Sequence, residues 1–380
     1  MFSIKLRPIL LSIFCILIFS SCEKKEVIIG FSGQLTGINS DLGIHGRNGV
    51  ILAVEEINST GGIAGKKIKL IIKDDEGIPE KAKQADLELI DQKAEAIIGH
   101  MTSSQTMAAL SVIEKSDIIL LSPTTSSPLL SGKKDRFFRV QGSSEFSADA
   151  LGRFASENFE IKSLLLVKQE GNDVFTDPYE KNFLRGFGKN DILIKKIVLS
   201  GRIEEIREKI PQVLSKTPYD AIFLISSSRI SAAVIQAASY VGKKPLIFIS
   251  SWGATESLIR HGGKSVEGAY LAKTGFTDRT RKDYINFVET YTKRFGYRPS
   301  FAAEQGYHSV KILAKALKQT KGTKDGLEKA LTGIKNFHTF QGKLSINKFG
   351  DAVMPVSILR VKDSEFEKIL EFEPEKDDAN

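Results

Sequence analysis

Hydroxyl side chains crowd two short stretches of this chain. In "IIGHMTSSQTMAA" (97–109) an apolar run enters Gly99, and Thr102, Ser103, Ser104 and Thr106 follow at what reads as the start of a helix. In "LLSPTTSSPLL" (120–130) Thr124, Thr125 and Ser126 follow a second apolar run. A helix N-terminus exposes unpaired N–H groups and the positive end of a dipole, so hydroxyls there either cap the helix or help to hold an anion. Covalent chemistry is not indicated, because neither "TSSQ" nor "SWG" (251–253) has an adjacent base at a readable spacing. The histidines, His45, His100, His261, His308 and His338, are scattered without metal-ligand spacing and read as surface or loop residues, His100 being the best placed for a pocket rim. No glycine-rich phosphate or dinucleotide fingerprint and no G-x-S-x-G elbow occurs. The expectation is a binding protein rather than an enzyme, with no metal and no cofactor.

The elements around these stretches alternate. Strands are predicted at 26–32, 67–74, 94–99, 117–122, 163–168, 192–199, 219–226 and 245–250, with helices near 45–59, 79–92, 104–115, 144–159, 179–189, 204–217, 229–241 and 254–260. In the first helix Val50, Ala53, Val54 and Ile57 share a face, and Gly61-Gly62 end it. Near-continuous apolar strands in βαβα order imply parallel sheets covered on both sides, an α/β fold. Past residue 275 long helices take over, and strand-like "GKLSIN" and "VSILRV" return later. A chain of this order builds two doubly wound parallel-sheet lobes joined by several crossovers, with the strand ends of both facing one cleft. The hydroxyl stretches, each just past a strand, fall at that edge.

The N-terminus carries a different message. Lys5 and Arg7 precede "PILLSIFCILIFSSC", an apolar run too short for the roughly 20 residues of a spanning helix. It reads as a signal peptide (1–21) cut before Cys22, and "FSSC" resembles the lipobox of bacterial lipoproteins, with Phe19 where Leu is commoner. Acylation of Cys22 would make residues 22–26 a tether to a membrane surface that no helix crosses. The other cysteine, Cys15, lies in the segment removed, so the mature chain would hold no disulfide and depend on its core. The net charge of +8 includes Lys5 and Arg7, and the remaining basic pairs are well separated, without an aromatic-interleaved stripe. Nucleic acid is therefore not an expected partner. The end, "EFEPEKDDAN", reads as an acidic, solvated tail, unstructured from 373 to 380.

From "GFSGQLTGINSDLGIHGRNGVILAVEEINSTGGIAGKKIKLIIKDDEGIPEKA" onward the chain resembles the type I periplasmic solute-binding proteins, of the branched-chain amino-acid-binding class that feeds ABC importers. The likeness continues through "AIIGHMTSSQT", "LLSPTTSSPLL", "FFRV", "ISSWGATESL", "FAAEQGYHSVKILAKAL" and "FQGKLSINKFGD", covering 27 to about 365 in the family's order. The resemblance implies two lobes that close on a small ligand, the first built from 27–140 plus about 273–341 and the second from 141–272 plus about 342–372. It implies hinges near Val140-Gln141, Ala272-Thr274 and Gln341-Gly342. It implies a monomer, exported and lipid-anchored at the bacterial cell envelope, that passes an amino acid or amide-like ligand to permease subunits.

Carried over by position, Ser103 and the N–H groups opening its helix would receive a ligand α-carboxylate, with Ser104 leaving room beside it. Thr124 through its backbone and Ser126 through its hydroxyl would meet an ammonium, and Tyr179 would reach in from the second lobe. Two departures stand out. The family acid that pairs with the ammonium aligns near Ser251-Trp252, where no carboxylate is present, and Leu42 replaces an aromatic. Either another acid, such as Asp173, Asp177 or Glu304, supplies the charge, or the ligand is not a simple amino acid. Trp252 then either stacks on an aromatic or amide ligand or only packs. The alternative role on the same fold is a lipoprotein that senses a ligand or docks on a cell-wall synthase, which bulky side chains filling the cleft would favour.

Overall fold

The computed structural model describes residues 26–37, 40–189, 191–240 and 244–373. The signal peptide, Cys22 and all but the first residue of the acidic tail lie outside them. The first lobe opens with β1 (Val27–Gly33), α1 (Ser40–Ser59), β2 (Ile68–Asp74), α2 (Pro79–Asp91), β3 (Ala96–Ile98), α3 (Ser103–Ile113), β4 (Ile119–Ser122) and β5 (Phe137–Arg139). Its strands form a parallel sheet in the order β2-β1-β3-β4-β5. The second lobe follows as α4 (Ser144–Asn158), β6 (Ser163–Gln169), α5 (Asp173–Phe187), β7 (Leu193–Leu199), α6 (Ile203–Lys216), β8 (Ala221–Ile225), α7 (Ser228–Ser239), β9 (Leu246–Ile249), α8 (Glu256–Gly262) and β10 (Tyr270–Thr274).

The chain then returns to the first lobe with α9 (Lys282–Phe295), α10 (Phe301–Gln319), α11 (Leu327–Thr332) and a small antiparallel sheet of β11 (Phe337–Thr339), β12 (Gly342–Ile346) and β13 (Ala352–Val353). It ends in the second lobe with β14 (Val356–Lys362) and β15 (Glu365–Phe372), antiparallel additions to one side of a sheet ordered β15-β14-β10-β9-β8-β6-β7. The second sheet is thus mixed at one edge rather than wholly parallel.

Each sheet is covered on both faces, which is why its strands are apolar throughout. In the first lobe Ile29, Phe31, Ile98 and Leu121 pack under α1, α10 and α11, while Ile97, Leu120 and Phe137 face Leu89, Leu110 and Ile113 of α2 and α3. In the second, Leu165, Val167, Ile222 and Leu224 meet α6 and α7, and Leu164, Leu166, Phe223 and Phe248 meet the aromatic face of α4 and α5. Helices α1 and α10 approach with no room for side chains at their crossing. A Cβ on Gly49 would stand 2.0 Å from the Ala303 carbonyl oxygen, and one on Gly306 2.3 Å from that of Gly46. Gly49 and Gly306 therefore let two backbones touch beneath the first sheet.

The division between lobes differs from the expected one near residue 341. Leu344, Ile346, Ala352 and Met354 are buried in the first-lobe core, because the alternation in "KLSIN" turns its apolar side chains that way. The crossings lie at Val140–Ser144 and just beyond Thr274, beside two of the expected hinges, and at Pro355 in place of Gln341-Gly342. They are tied together: the Gly275 N–H donates to the Pro355 carbonyl at 2.7 Å and the Phe276 N–H to that of Gln341 at 3.2 Å. Gln305 Nε2 donates to both Gln141 Oε1 (2.8 Å) and Gln341 Oε1 (2.9 Å), a buried amide cluster between the crossings. Among the described residues no helix is long and apolar enough to cross a membrane.

Candidate functional site

Between the lobes, at the carboxyl ends of β3, β4, β6 and β9, lies a cleft. Both lobes line it: Leu42, Met101, Thr102, Ser103, Thr124, Ser126 and Phe301 from the first, Asn172, Phe175, Ser251, Trp252, Ala254 and Lys273 from the second, with Gln141 at the hinge. These are the points where strand order reverses in each sheet, β1 to β3 and β6 to β8, where open α/β sheets collect ligands. The lobes also touch. The Ser104 N–H donates to Asn172 Oδ1 at 3.2 Å, and Ser127 Oγ donates to the Val174 carbonyl at 2.5 Å. The cavity left inside is small, about 30 Å³. An occupant of amino-acid size enters only with lobe opening or side-chain movement.

Ser103 is not the cap of its helix. Thr102 holds the N-cap position, and Ser103, the first helical residue, is 2 % exposed with its Oγ accepting from the Ser127 N–H at 3.3 Å. Its hydroxyl therefore joins the two hydroxyl-rich loops at the cleft wall. Thr124 Oγ1 donates to the Met101 carbonyl at 2.6 Å, so its side chain is spent on the loop. Ser126 lines the cleft, and among the described residues its hydroxyl has no hydrogen-bond partner. Ser104 faces the opposite lobe through its backbone and does not line the cleft.

Tyr179 lies elsewhere than the resemblance implies. It is fully buried among Phe175, Phe183 and Phe223, and its hydroxyl accepts from the Ser251 N–H at 3.3 Å. Burial pushes its phenol up to about 12, so it stays neutral. One helical turn earlier Phe175 takes the place at the cleft, edge-on to Trp252 with ring centroids 6.0 Å apart and planes at 83°. The helix expected near 179–189 starts at Asp173 as α5, with Pro178 inside it, and so brings Phe175 to the cleft. Trp252 is 8 % exposed and both packs and lines. Leu42 and Trp252 also wall a wider groove of about 550 Å³ that holds Asp41, Arg229, Arg260 and His261.

None of the three alternative acids lines the cleft. Asp173 is exposed, and Asp177 pairs with Lys168. Glu304 sits behind the hinge, accepting from Thr277 Oγ1 at 2.7 Å and Gln341 Nε2 at 3.1 Å, and burial holds its carboxyl above the usual range. The charged side chain that does line the cleft is Lys273, in the strand β10 that the periodicity did not reveal. A lysine inside "AYLAKTG", a short apolar run ending at a glycine, was the available signal.

His100 is not at a rim either. It is fully buried at the end of β3, its Nδ1 2.7 Å from Asp75 Oδ2 and its Nε2 3.2 Å from Asp86 Oδ2. Burial alone favours the neutral ring, but the charge of Asp86 and hydrogen bonds to both carboxylates outweigh it and raise the imidazole to about 10. The protonated ring donates to both. Its carbonyl accepts from Ser122 Oγ at 2.7 Å and Thr125 Oγ1 at 3.2 Å, fixing the loop that carries Thr124 and Ser126. His45 and His308 are buried too, the latter accepting from the Phe340 N–H at 2.9 Å through Nε2, with burial holding it down at about 3.

A family model described as periplasmic binding protein matches residues 26–365. The chain belongs to that family. An amino acid binding protein of Pseudomonas aeruginosa is 33% identical over 144 residues, a match covering 37% of this chain and only 38% of that relative. Two solved structures share the fold. The branched-chain amino acid transporter substrate binding protein LivJ of Streptococcus pneumoniae, solved with isoleucine, superposes with a TM-score of 0.81 at 22% identity, covering 91% of this chain and 99% of that one. A solute binding protein of an ABC transporter from Rhodopseudomonas palustris, solved with 3,4-dihydroxy benzoic acid, superposes at 0.80 with 22% identity, covering 93% and 98%. In this periplasmic binding protein the cleft thus occupies the interlobe position of a two-lobed α/β fold, and its lining differs from the expected set at Tyr179, Ser104 and Lys273.

Proposed function

We propose that this protein is the extracytoplasmic substrate-binding component of an ABC importer, which closes its lobes on a small polar ligand and delivers it to permease subunits. The observation that carries the reading is the cleft at the strand ends of both lobes, where Ser126 offers an unspent hydroxyl and Ser103 the start of a helix. The relatives' and neighbours' names add a ligand range, an amino acid or an aromatic carboxylate. We place the protein at the bacterial cell envelope, as a monomer held by acylated Cys22. Cys22→Ser is expected to move it from the membrane fraction to the soluble one, and equal membrane recovery of both forms would remove the lipid anchor from this account.

The test of binding is a thermal-shift screen of the purified protein against amino acids, amides, urea and small carboxylates. A ligand at 100 times its dissociation constant adds about 2.7 kcal/mol of stability. Ser126→Ala should then weaken the best ligand ten- to a hundredfold, the worth of about 1.5–3 kcal/mol for a hydrogen bond to a charged group, and leave the unliganded melting temperature in place. Ser103→Ala should lower both, because the Ser127 N–H also loses its acceptor. The narrowness of the cleft favours a second reading, a lipoprotein that senses a ligand or docks on a cell-wall synthase. A screen in which nothing shifts the melting temperature would select its protein-docking form.

A further inference from the structure

Lys273 lines the cleft as its one charged side chain among the described residues. Its Nζ stands 5.4 Å from the centre of the Phe301 ring, and among the described residues it forms no ion pair. The two carboxylates whose fields reach it, Glu304 and Glu256, form no ion pair with it among the described residues. Glu304 is held by Thr277 and Gln341, and Glu256 pairs with Arg279. Lys273 keeps partial exposure to the cleft, and its desolvation pushes the ammonium below its ordinary range. A charge in this position calls for an anion from outside the protein.

The rest of the lining says what kind of anion. Phe175, Trp252 and Phe301 supply flat apolar walls, and among the described residues no carboxylate lines the cleft to offset a second cation. An α-amino acid whose carboxylate met Lys273 would bring its own ammonium two bonds away, into a site that already holds a positive charge. We infer that the ligand of this cleft is a small monocarboxylate without an α-ammonium, planar or compact in its apolar part, its carboxylate paired with Lys273 and its body against Phe175 and Trp252. This rests on the binding-protein reading and narrows its ligand class.

The experiment is calorimetric titration of the purified protein with three probes: L-leucine, its 2-oxo analogue 4-methyl-2-oxopentanoate, and benzoate. The expected result is that one or both of the carboxylates lacking an ammonium bind at least tenfold more tightly than leucine. Lys273→Met, which keeps the length and removes the charge, should cost that ligand at least tenfold, and Lys273→Arg should cost less than Lys273→Met. Because Lys273 has no ion pair to lose, Lys273→Met should melt no lower than the parent. Leucine binding more tightly than both other probes would overturn the inference and leave the binding-protein reading standing, as would full carboxylate affinity in Lys273→Met. Binding of none of the three would overturn the inference, and the wider thermal-shift screen would then decide whether the binding reading survives.

Discussion

His100→Leu is expected to lower the free energy of unfolding by about 3–5 kcal/mol, measured by urea denaturation near pH 7, because it leaves Asp75 and Asp86 buried together without their cation. Both carboxylates are within 1 % of complete burial, so water does not replace the imidazolium. Asp86→Asn added to His100→Leu should recover part of the loss by removing one of the like charges. The pH dependence has a definite sign. The His100 imidazole is raised from 6.5 to about 10, so the stability it contributes is fully present below pH 6.5 and disappears as pH rises through about 10. Within that window the wild type should lose up to about 1.4 kcal/mol per pH unit from this one group. His100→Leu lacks that contribution, so the gap between the two proteins should narrow as pH rises from 6.5 to 10. A gap that stays constant across this range would mean that the ring is neutral in the fold.

The first lobe was largely legible because its signals are local. The strands at 26–32, 67–74 and 117–122 are apolar runs between turn residues, and the structure places them within two residues of the expected bounds. The strand β15 was not read because it is an edge strand, "EFEKILEF", whose side chains are mostly exposed and half of them charged. Short β5 and β10 lack the length to show a period. The cleft residues divide in the same way. Ser103, Thr124 and Ser126 follow strands directly, and their position at the sheet edge follows from order alone. Phe175 and Lys273 depend on where α5 begins and on which face β10 turns to the cleft, facts set by packing between lobes rather than by neighbours in sequence. His100 shows the same limit more sharply. Its partners lie 25 and 14 residues away in the chain, and nothing in "IIGHM" distinguishes a buried imidazolium from an exposed ring.

Arg139→Met is the second change from which a large loss is expected, about 3 kcal/mol of stability, at the lower end for a broken buried ion pair because Asp351 keeps some contact with water. Arg139 is fully buried at the end of β5 and binds three groups at once. Its guanidinium donates to the Ser127 carbonyl at 3.0 Å and to Ser131 Oγ at 2.5 Å, and pairs with Asp351 Oδ1 at 2.7 Å. Asp351 Oδ2 in turn accepts from the Gly132 N–H at 2.9 Å. The group therefore binds the loop after β4, which carries Ser126, to the turn that precedes the last crossing between lobes. Arg139→Lys should recover little, since a single ammonium cannot reproduce a planar fork aimed at separate acceptors. Pairing Arg139→Met with Asp351→Asn should restore more of the stability than Arg139→Lys, because it removes the stranded carboxylate charge. If the double variant were as unstable as Arg139→Met alone, the cost would lie in packing around the arginine stem rather than in the uncompensated charge of Asp351.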